Sequence, residues 1–191
     1  MSAVAKQTIS ESEYLELERK AFEKSEYYRG EIFAMAGATK EHNKIVAALI
    51  AELYNFLKGN SCSVFPSDIR VHNAANSLYT YPDVTIVCGK EEYLDDQFDT
   101  LLNPTVIFEV LSGSTEDYDR GTKFKLYRSI PSLLNYVLVS STELSAEVYT
   151  RSGDSWILTT AKTKDEHIFI SATGFDLALA DVYAQVDELT N

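Results

Sequence analysis

The stretch YPDVTIVCGKEEYLDDQFDTLLNPTVIFEVLS, residues 81–112, decides the fold. Its last third, NPTVIFEVLS, is a compact apolar run broken only by Glu109. Such a run, rich in β-branched and aromatic residues, reads as a strand buried on both faces. At the other end LYTYPDVTIVC, residues 78–88, alternates and reads as a second strand. Pro82 cannot donate a ladder hydrogen bond, so that strand lies at a sheet edge or begins there. The acidic KEEYLDDQFDT between them reads as a surface loop or turn.

Working outward, STEDYDRGTKFKLYRSI reads as a loop leading into a helix that Pro131 ends. LLNYVLVS is another buried strand. AEVYTR, SWILTTA and HIFIS alternate between turn residues and predict a meander. The tail LALADVYAQVDEL reads as a helix. Upstream, CSVFPSDIRVH alternates as one strand whose polar face would hold Asp68, Arg70 and His72. TKEHNKIVAALIAELYNFLKG is the longest helical signal, with Thr39 as its cap and Gly59 as its stop. Ile45, Val46, Leu49, Leu53, Phe56 and Leu57 form its core-facing stripe. SEYYR and EIFAMAG flank Gly30 as a hairpin, and SESEYLELERKAF opens the fold as a short helix capped by Ser10 or Ser12. Helices precede, interrupt and follow the strands, which predicts an α/β chain with a mixed central sheet. No repeat or linker divides it, so residues 1–191 are expected to form one domain.

The 191 residues carry 17 basic and 29 acidic side chains, a net charge of −12. That excludes a uniformly basic nucleic-acid binder and leaves room only for a local basic groove. A hydrophobic share of 45% with 24% charged residues is that of a folded chain and not of a disordered one. No apolar run approaches the ~18 residues that span a bilayer, and MSAVAKQTIS is too polar for a signal-peptide core. A cytoplasmic location without membrane attachment is the expectation. Cys62 and Cys88 lack metal-ligand spacing and are read as reduced thiols.

Three residues stand out chemically. Glu109 has apolar neighbours on both faces of its strand, and an unpaired buried carboxylate costs several kcal/mol. A metal, a lysine or a proton must compensate it, and an ordinary structural salt bridge would do so too. Asp83 lies on the face opposite Val84, Ile86 and Cys88; a solvent-facing or turn-capping role is its plainer alternative. On a helical wheel Lys123 shares a face with Asp119, Leu126, Tyr127 and Ile130, whereas Lys125 falls on the far side. A lysine snorkelling past Tyr127 is the plainer alternative there. His42 lies in the stripe of the long helix near its start, and Glu31 opens a strand after Gly30; a helix-end histidine and a hairpin surface glutamate are their ordinary roles. Two carboxylates on neighbouring strands with one inward lysine suit Mg²⁺, which binds through few carboxylates and keeps several waters. Such a cation supports hydrolysis at phosphorus.

Together YPDVTIVCG, the 26-residue step from Asp83 to Glu109, and FEVLSGSTEDYDRGTKFKLYRSIPSLLNYVLVS resemble the Uma-type endonuclease family. YRGEIFAMAGATKEHNKI and DLALADVY fit the same pattern, so the resemblance spans roughly residues 10 to 187. It implies the restriction-endonuclease-like fold of the PD-(D/E)-x-K superfamily and a nuclease that hydrolyses DNA phosphodiester bonds with Mg²⁺ or Mn²⁺. Asp83 matches the PD pair and Glu109 the second acidic position, so both would be catalytic metal ligands, with the backbone carbonyl of Val110. Leu111 stands where the superfamily lysine is expected, and Lys123 on the following helix matches the family's lysine instead. Glu31 and His42 match its upstream positions. Arg120, Lys125 and Arg128 are the candidate DNA contacts, and a homodimer is compatible with duplex cleavage. A non-catalytic nucleic-acid- or protein-binding domain that retains the fold is the competing reading, favoured by the charge of −12.

Overall fold

The computed structural model describes residues 8–35, 37–113, 116, 118–186 and 189. Ser10 caps α1 (Glu11–Glu18) through a capping box, its hydroxyl taking the Glu13 N–H while Glu13 reaches back. The hairpin β1 (Ser25–Tyr28) and β2 (Glu31–Ala34) turns at Gly30, whose φ of +92° favours glycine. Thr39 caps α2 (Lys40–Leu57) by accepting from the His42 N–H. Strands β3 (Cys62–Pro66), β4 (Arg70–Asn73), β5 (Leu78–Thr80), β6 (Val84–Cys88), β7 (Thr100–Leu101) and β8 (Val106–Leu111) follow. A π-helical turn, Tyr118–Lys123, runs into the short α3 (Phe124–Tyr127). Then come β9 (Asn135–Ser140), β10 (Ala146–Ser152), β11 (Ser155–Ala161), β12 (His167–Ile170), β13 (Phe175–Ala178) and α4 (Leu179–Val182).

The mixed α/β class is as expected, but the strands form two large sheets and a ribbon. One sheet runs β2-β1-β5-β4-β7, the other β11-β10-β9-β8-β6-β3, and β12 pairs with β13. The six-stranded sheet is mixed, with β8 and β9 parallel and its other neighbours antiparallel. Ile45, Leu49, Leu53 and Leu57 of α2 pack with Val106, Phe108 and Val110 on one of its faces. Ile107 and Leu111 meet Val71, Leu78, Leu126 and Tyr127 on the other. Every residue of β8 and β9 is buried, which explains their near-continuous apolar sequences. Phe56 departs from the expected stripe: it is half-exposed and stacks on Phe175 at 4.4 Å.

Two stretches read as single strands are each divided between the sheets. CSVFPSDIRVH breaks after Pro66 into β3 and β4, and Asp68 sits in the turn, paired with Lys24, away from the buried Arg70 and His72. LYTYPDVTIVC breaks at Pro82 into β5 and β6. Alternation survives each break because both sheets have a buried face, so period alone conceals the crossing. The meander stops at β11, and β12 leaves to pair with the start of the expected helical tail. FDLA alternates buried and exposed, and only Leu179–Val182 is helical thereafter; residues 187 and 188 of that expected helix lie outside the described residues.

Cys62 and Cys88 stand directly opposite on β3 and β6 and are joined by a disulfide. This corrects their reading as reduced thiols, and the reducing, cytoplasmic setting loses that support. Sequence spacing could not show it, because strand register brings the pair together. Among the described residues no helix is long and apolar enough to cross a membrane.

Cross-linking across 26 residues confines the unfolded chain, so Cys62→Ala or full reduction is expected to lower unfolding free energy by about 2–4 kcal/mol. Urea titration with and without dithiothreitol measures it; identical midpoints would show that the staple contributes nothing. A second device is acid-labile. Arg19 and Arg70 clamp Asp99 and, against its partial burial, hold its carboxyl far below the usual range. A depressed folded pKa adds stability that is full above the unfolded value of about 3.9 and lost as pH falls below it. Asp99→Asn should therefore be less stable than the parent at pH 7, with the gap closing in acid.

Candidate active site

The crossing at Pro82 places Asp83. On its near side Tyr81 is pinned in the interior, its hydroxyl donating to Glu18 at 2.9 Å and accepting from Arg70 at 3.0 Å. On its far side β6 pairs antiparallel with β8, Val84 opposite Phe108. Asp83 and Glu109 are the next residues on each strand, so the step across the break sets them side by side. Asp83 Oδ2 accepts the Val110 N–H at 2.7 Å and lies 3.2 Å from His42 Nε2. A carboxylate can only accept there, so the proton is on Nε2. His42 thus reaches Asp83 from the first turn of α2.

Glu109 points to the face where the π-helical turn and α3 pack. Its Oε1 accepts from Lys123 Nζ at 2.9 Å and from the Tyr127 hydroxyl at 3.0 Å. Lys123 Nζ also lies 3.3 Å from Glu26 and 3.7 Å from Asp119. Lys123 and Glu109 are 6% and 5% exposed, so this cluster is nearly dry. Burial works against the Lys123 ammonium, yet Glu109, Tyr127, Glu26 and Asp119 hold its pKa well above the ordinary value. Burial pushes the Glu109 carboxyl well up; Lys123 opposes this, and Asp119, Asp83 and Glu26 reinforce it. One cation therefore serves several carboxylates, and the cluster is short of positive charge.

The helical wheel chose the inward lysine correctly. Lys123 is buried with Asp119 and Tyr127, four residues away on either side, and Lys125 is exposed. Lys125 and Arg128 line a shallow hollow with Gly121, Thr122 and Phe124, on the side of the helix turned from Glu109. Arg120 is engaged by Glu116 and Glu147. Glu31 stands at the hairpin turn, opposite Tyr28. The carboxylate that the hairpin sends to Lys123 is Glu26, which sequence reasoning missed. Its only signal was a place beside Tyr27 in a four-residue strand, where a polar alternate position looks like a solvent face.

Mg²⁺ asks for one or two carboxylates and keeps its waters. Among the described residues no three His, Cys, Asp or Glu side chains form a ready cage. The hydrogen bonds among them engage Oδ2 of Asp83 and Oε1 of Glu109, and neither Oδ1 nor Oε2 has a partner there. Carboxylates of two residues set next to each other by the β6–β8 register, in a cluster short of positive charge, have the donor chemistry such a cation takes. Asp83 and Glu109 would hold it.

A family model for Uma2, described as "Putative restriction endonuclease", matches residues 11–180. An uncharacterized protein of Synechocystis sp., slr1290, is 36% identical over 176 residues, covering 92% of this chain and 91% of its own. A second from that organism, sll1609, is 36% identical over 152 residues, 79% of this chain and 86% of its own. A crystal structure of a putative nuclease of DUF820 from Anabaena variabilis superposes with a TM-score of 0.76. It shares 16% identity and covers 92% of this chain and 98% of its own, a likeness of fold.

Removing the cation at the centre of the cluster takes the ammonium partner from Glu109 and Glu26. Lys123→Met is expected to cost about 3–5 kcal/mol in chemical denaturation, while the exposed Lys125→Met changes stability by no more than ~0.5 kcal/mol. Equal small effects would mean that Lys123 does not hold the cluster together.

Proposed function

The chain belongs to the Uma2 family, and from that premise we propose that it is a metal-dependent nuclease hydrolysing phosphodiester bonds in DNA. The observation that carries the reading is the Lys123 ammonium 2.9 Å from Glu109, with Asp83 set beside Glu109 by the β6–β8 register. Asp83 and Glu109, with the backbone carbonyl of Val110, would hold Mg²⁺ or Mn²⁺. When bound, the cation lowers the pKa of a bound water and neutralises charge on a phosphoryl oxygen.

The chain's own groups have separable tasks. The Val110 N–H and His42 fix the Asp83 carboxylate from two elements. Tyr127 fixes Glu109 and is itself tied to Thr80 at 2.8 Å. Against burial, Glu109, then Tyr127, Glu26 and Asp119, hold the Lys123 pKa up, so it acts as a donor: it orients the attacking water and stabilises charge on the pentavalent phosphorane. The competing reading, a binding domain that retains the fold without catalysis, is favoured by the net charge of −12.

Titration calorimetry with Mn²⁺ and cleavage of plasmid and oligonucleotide substrates decide between them. Asp83→Asn and Glu109→Gln are each expected to weaken cation binding at least ~10-fold and to remove cleavage. Binding indifferent to both substitutions, with no cleavage by the parent, would favour the non-catalytic domain.

A further inference from the structure

Beyond the carboxylates and the lysine, two aromatic rings set by residues of the cluster have no task in the chemistry above, one opposite Glu26 and one next to Asp119 in the chain. Phe33 is the directly opposed partner of Glu26 on β2. In such pairs the side chains leave the same face with Cβ atoms about 4.5–5.5 Å apart. Phe33 therefore projects toward the side on which Glu26 meets Lys123. The second ring is Tyr118, next to Asp119 at the start of the π-helical turn. Burial raises its hydroxyl pKa, and the charge on Glu26 leads the surrounding groups that add to or oppose this, followed by Lys123, Asp119 and Glu109. Both rings are large and half-exposed, 47% for Phe33 and 41% for Tyr118. Neither stacks on another aromatic ring among the described residues, whereas most of the interior tyrosines do.

We infer that Phe33 and Tyr118 are a pair of base-stacking platforms, and that the substrate of this site is single-stranded or locally unpaired DNA. The inference rests on the nuclease reading and adds the substrate form and two specificity residues to it. Three observations converge on a strand and not a duplex. The reacting cluster is recessed, with Glu109, Lys123 and Asp119 all about 5–6% exposed, and a duplex stiff over ~150 base pairs does not bend its backbone into a recess without compensating contacts. The outer basic pair, Lys125 and Arg128, lies on the far side of the helix from the cluster, so it cannot track a backbone entering there. A chain of net charge −12 gains little from phosphate neutralisation. Stacking is independent of that charge and tolerant of sequence, because every base has a π-face.

The test uses the full chain, a 2-aminopurine-labelled oligonucleotide, and its duplex with the complement. Binding is read by anisotropy and 2-aminopurine quenching in Ca²⁺, and cleavage in Mn²⁺. The expected result is quenching on the single strand, with preference for it over the duplex. Phe33→Ala and Tyr118→Ala should each weaken single-strand binding about 5- to 100-fold; Phe33→Tyr and Tyr118→Phe should restore it. Both positions are exposed, so an unchanged melting temperature confirms intact folding. Equal binding of duplex and single strand, or alanine variants that bind like the parent, would overturn the stacking role while leaving the nuclease reading in place. No binding and no cleavage of either form by the parent would instead overturn the nuclease reading on which the inference rests.

Discussion

A single buried ammonium organises this molecule. Lys123 reaches Glu109 on β8, Glu26 on β1 and Asp119 on its own π-helical turn. Those contacts join the six-stranded sheet, the five-stranded sheet and the helix between them at one point. Burying a charge is tolerable only when it is paired and hydrogen-bonded, so each of these elements is committed to a position by the need to keep Lys123 compensated. Tyr127 completes the closure, bridging Glu109 on one sheet and Thr80 on the other. The arrangement is electrostatically lopsided. One lysine faces three carboxylates within 3.7 Å, with Asp83 close enough to act on Glu109. Burial raises the Glu109 pKa, and the neighbouring carboxylates reinforce it against Lys123: a proton on that carboxyl relieves the excess, and a cation could relieve it in the same place.

Much of this was legible where one physical signal dominated. The long helix declared itself by cap, stripe and stop, and Glu109 by being acidic within an apolar strand. Lys123 was distinguished from Lys125 because four-residue spacing keeps Asp119, Lys123 and Tyr127 on one face even where the turn is π-helical and not α-helical. The signal failed where the unit of order was longer than a strand. Two alternating stretches were each divided between sheets, because a proline that fits an edge strand fits a crossing equally well. Cys62 and Cys88 meet through register alone. Glu26 was passed over for Glu31 because the hairpin offers two acids five residues apart, and only the pairing of β1 with β5 decides which one lies beside Thr80 and Tyr81.

Two sheets meeting at a proline also explain why the acidic pair is where it is. Pro82 ends one ladder without leaving an unsatisfied donor in it, since it has none to leave. Tyr81 is pinned by Glu18 and Arg70 on one side, and β6 starts at once on the other. Asp83 therefore has no slack. Its carboxylate caps the Val110 N–H, at the same end of β8 from which Glu109 projects. Moving the break by one residue would turn the aspartate to the α2 face, among Val84, Ile86 and Phe108.

The distribution of cations bears on what such a site can recognise. Arg19 and Arg70 clamp Asp99, Lys24 holds Asp68, Arg120 holds Glu116 and Glu147, and Arg151 donates to the carbonyls of Arg128, Ile130 and Leu133. These side chains, the arginines above all, serve the fold. With 29 acids against 17 bases, long-range steering of a polyanion is unfavourable, and any encounter is repelled until the ligand is close. On the nuclease reading, recognition would rest on short-range terms that survive screening: a cation held at the acidic cluster, a hydrogen bond from Lys123, and contact with uncharged rings. All three are concentrated around Glu26, Glu109 and Lys123. A surface that repels a polyanion over most of its area, with its one buried ammonium set among carboxylates, would on the nuclease reading favour a ligand that can present one flexible segment at a time.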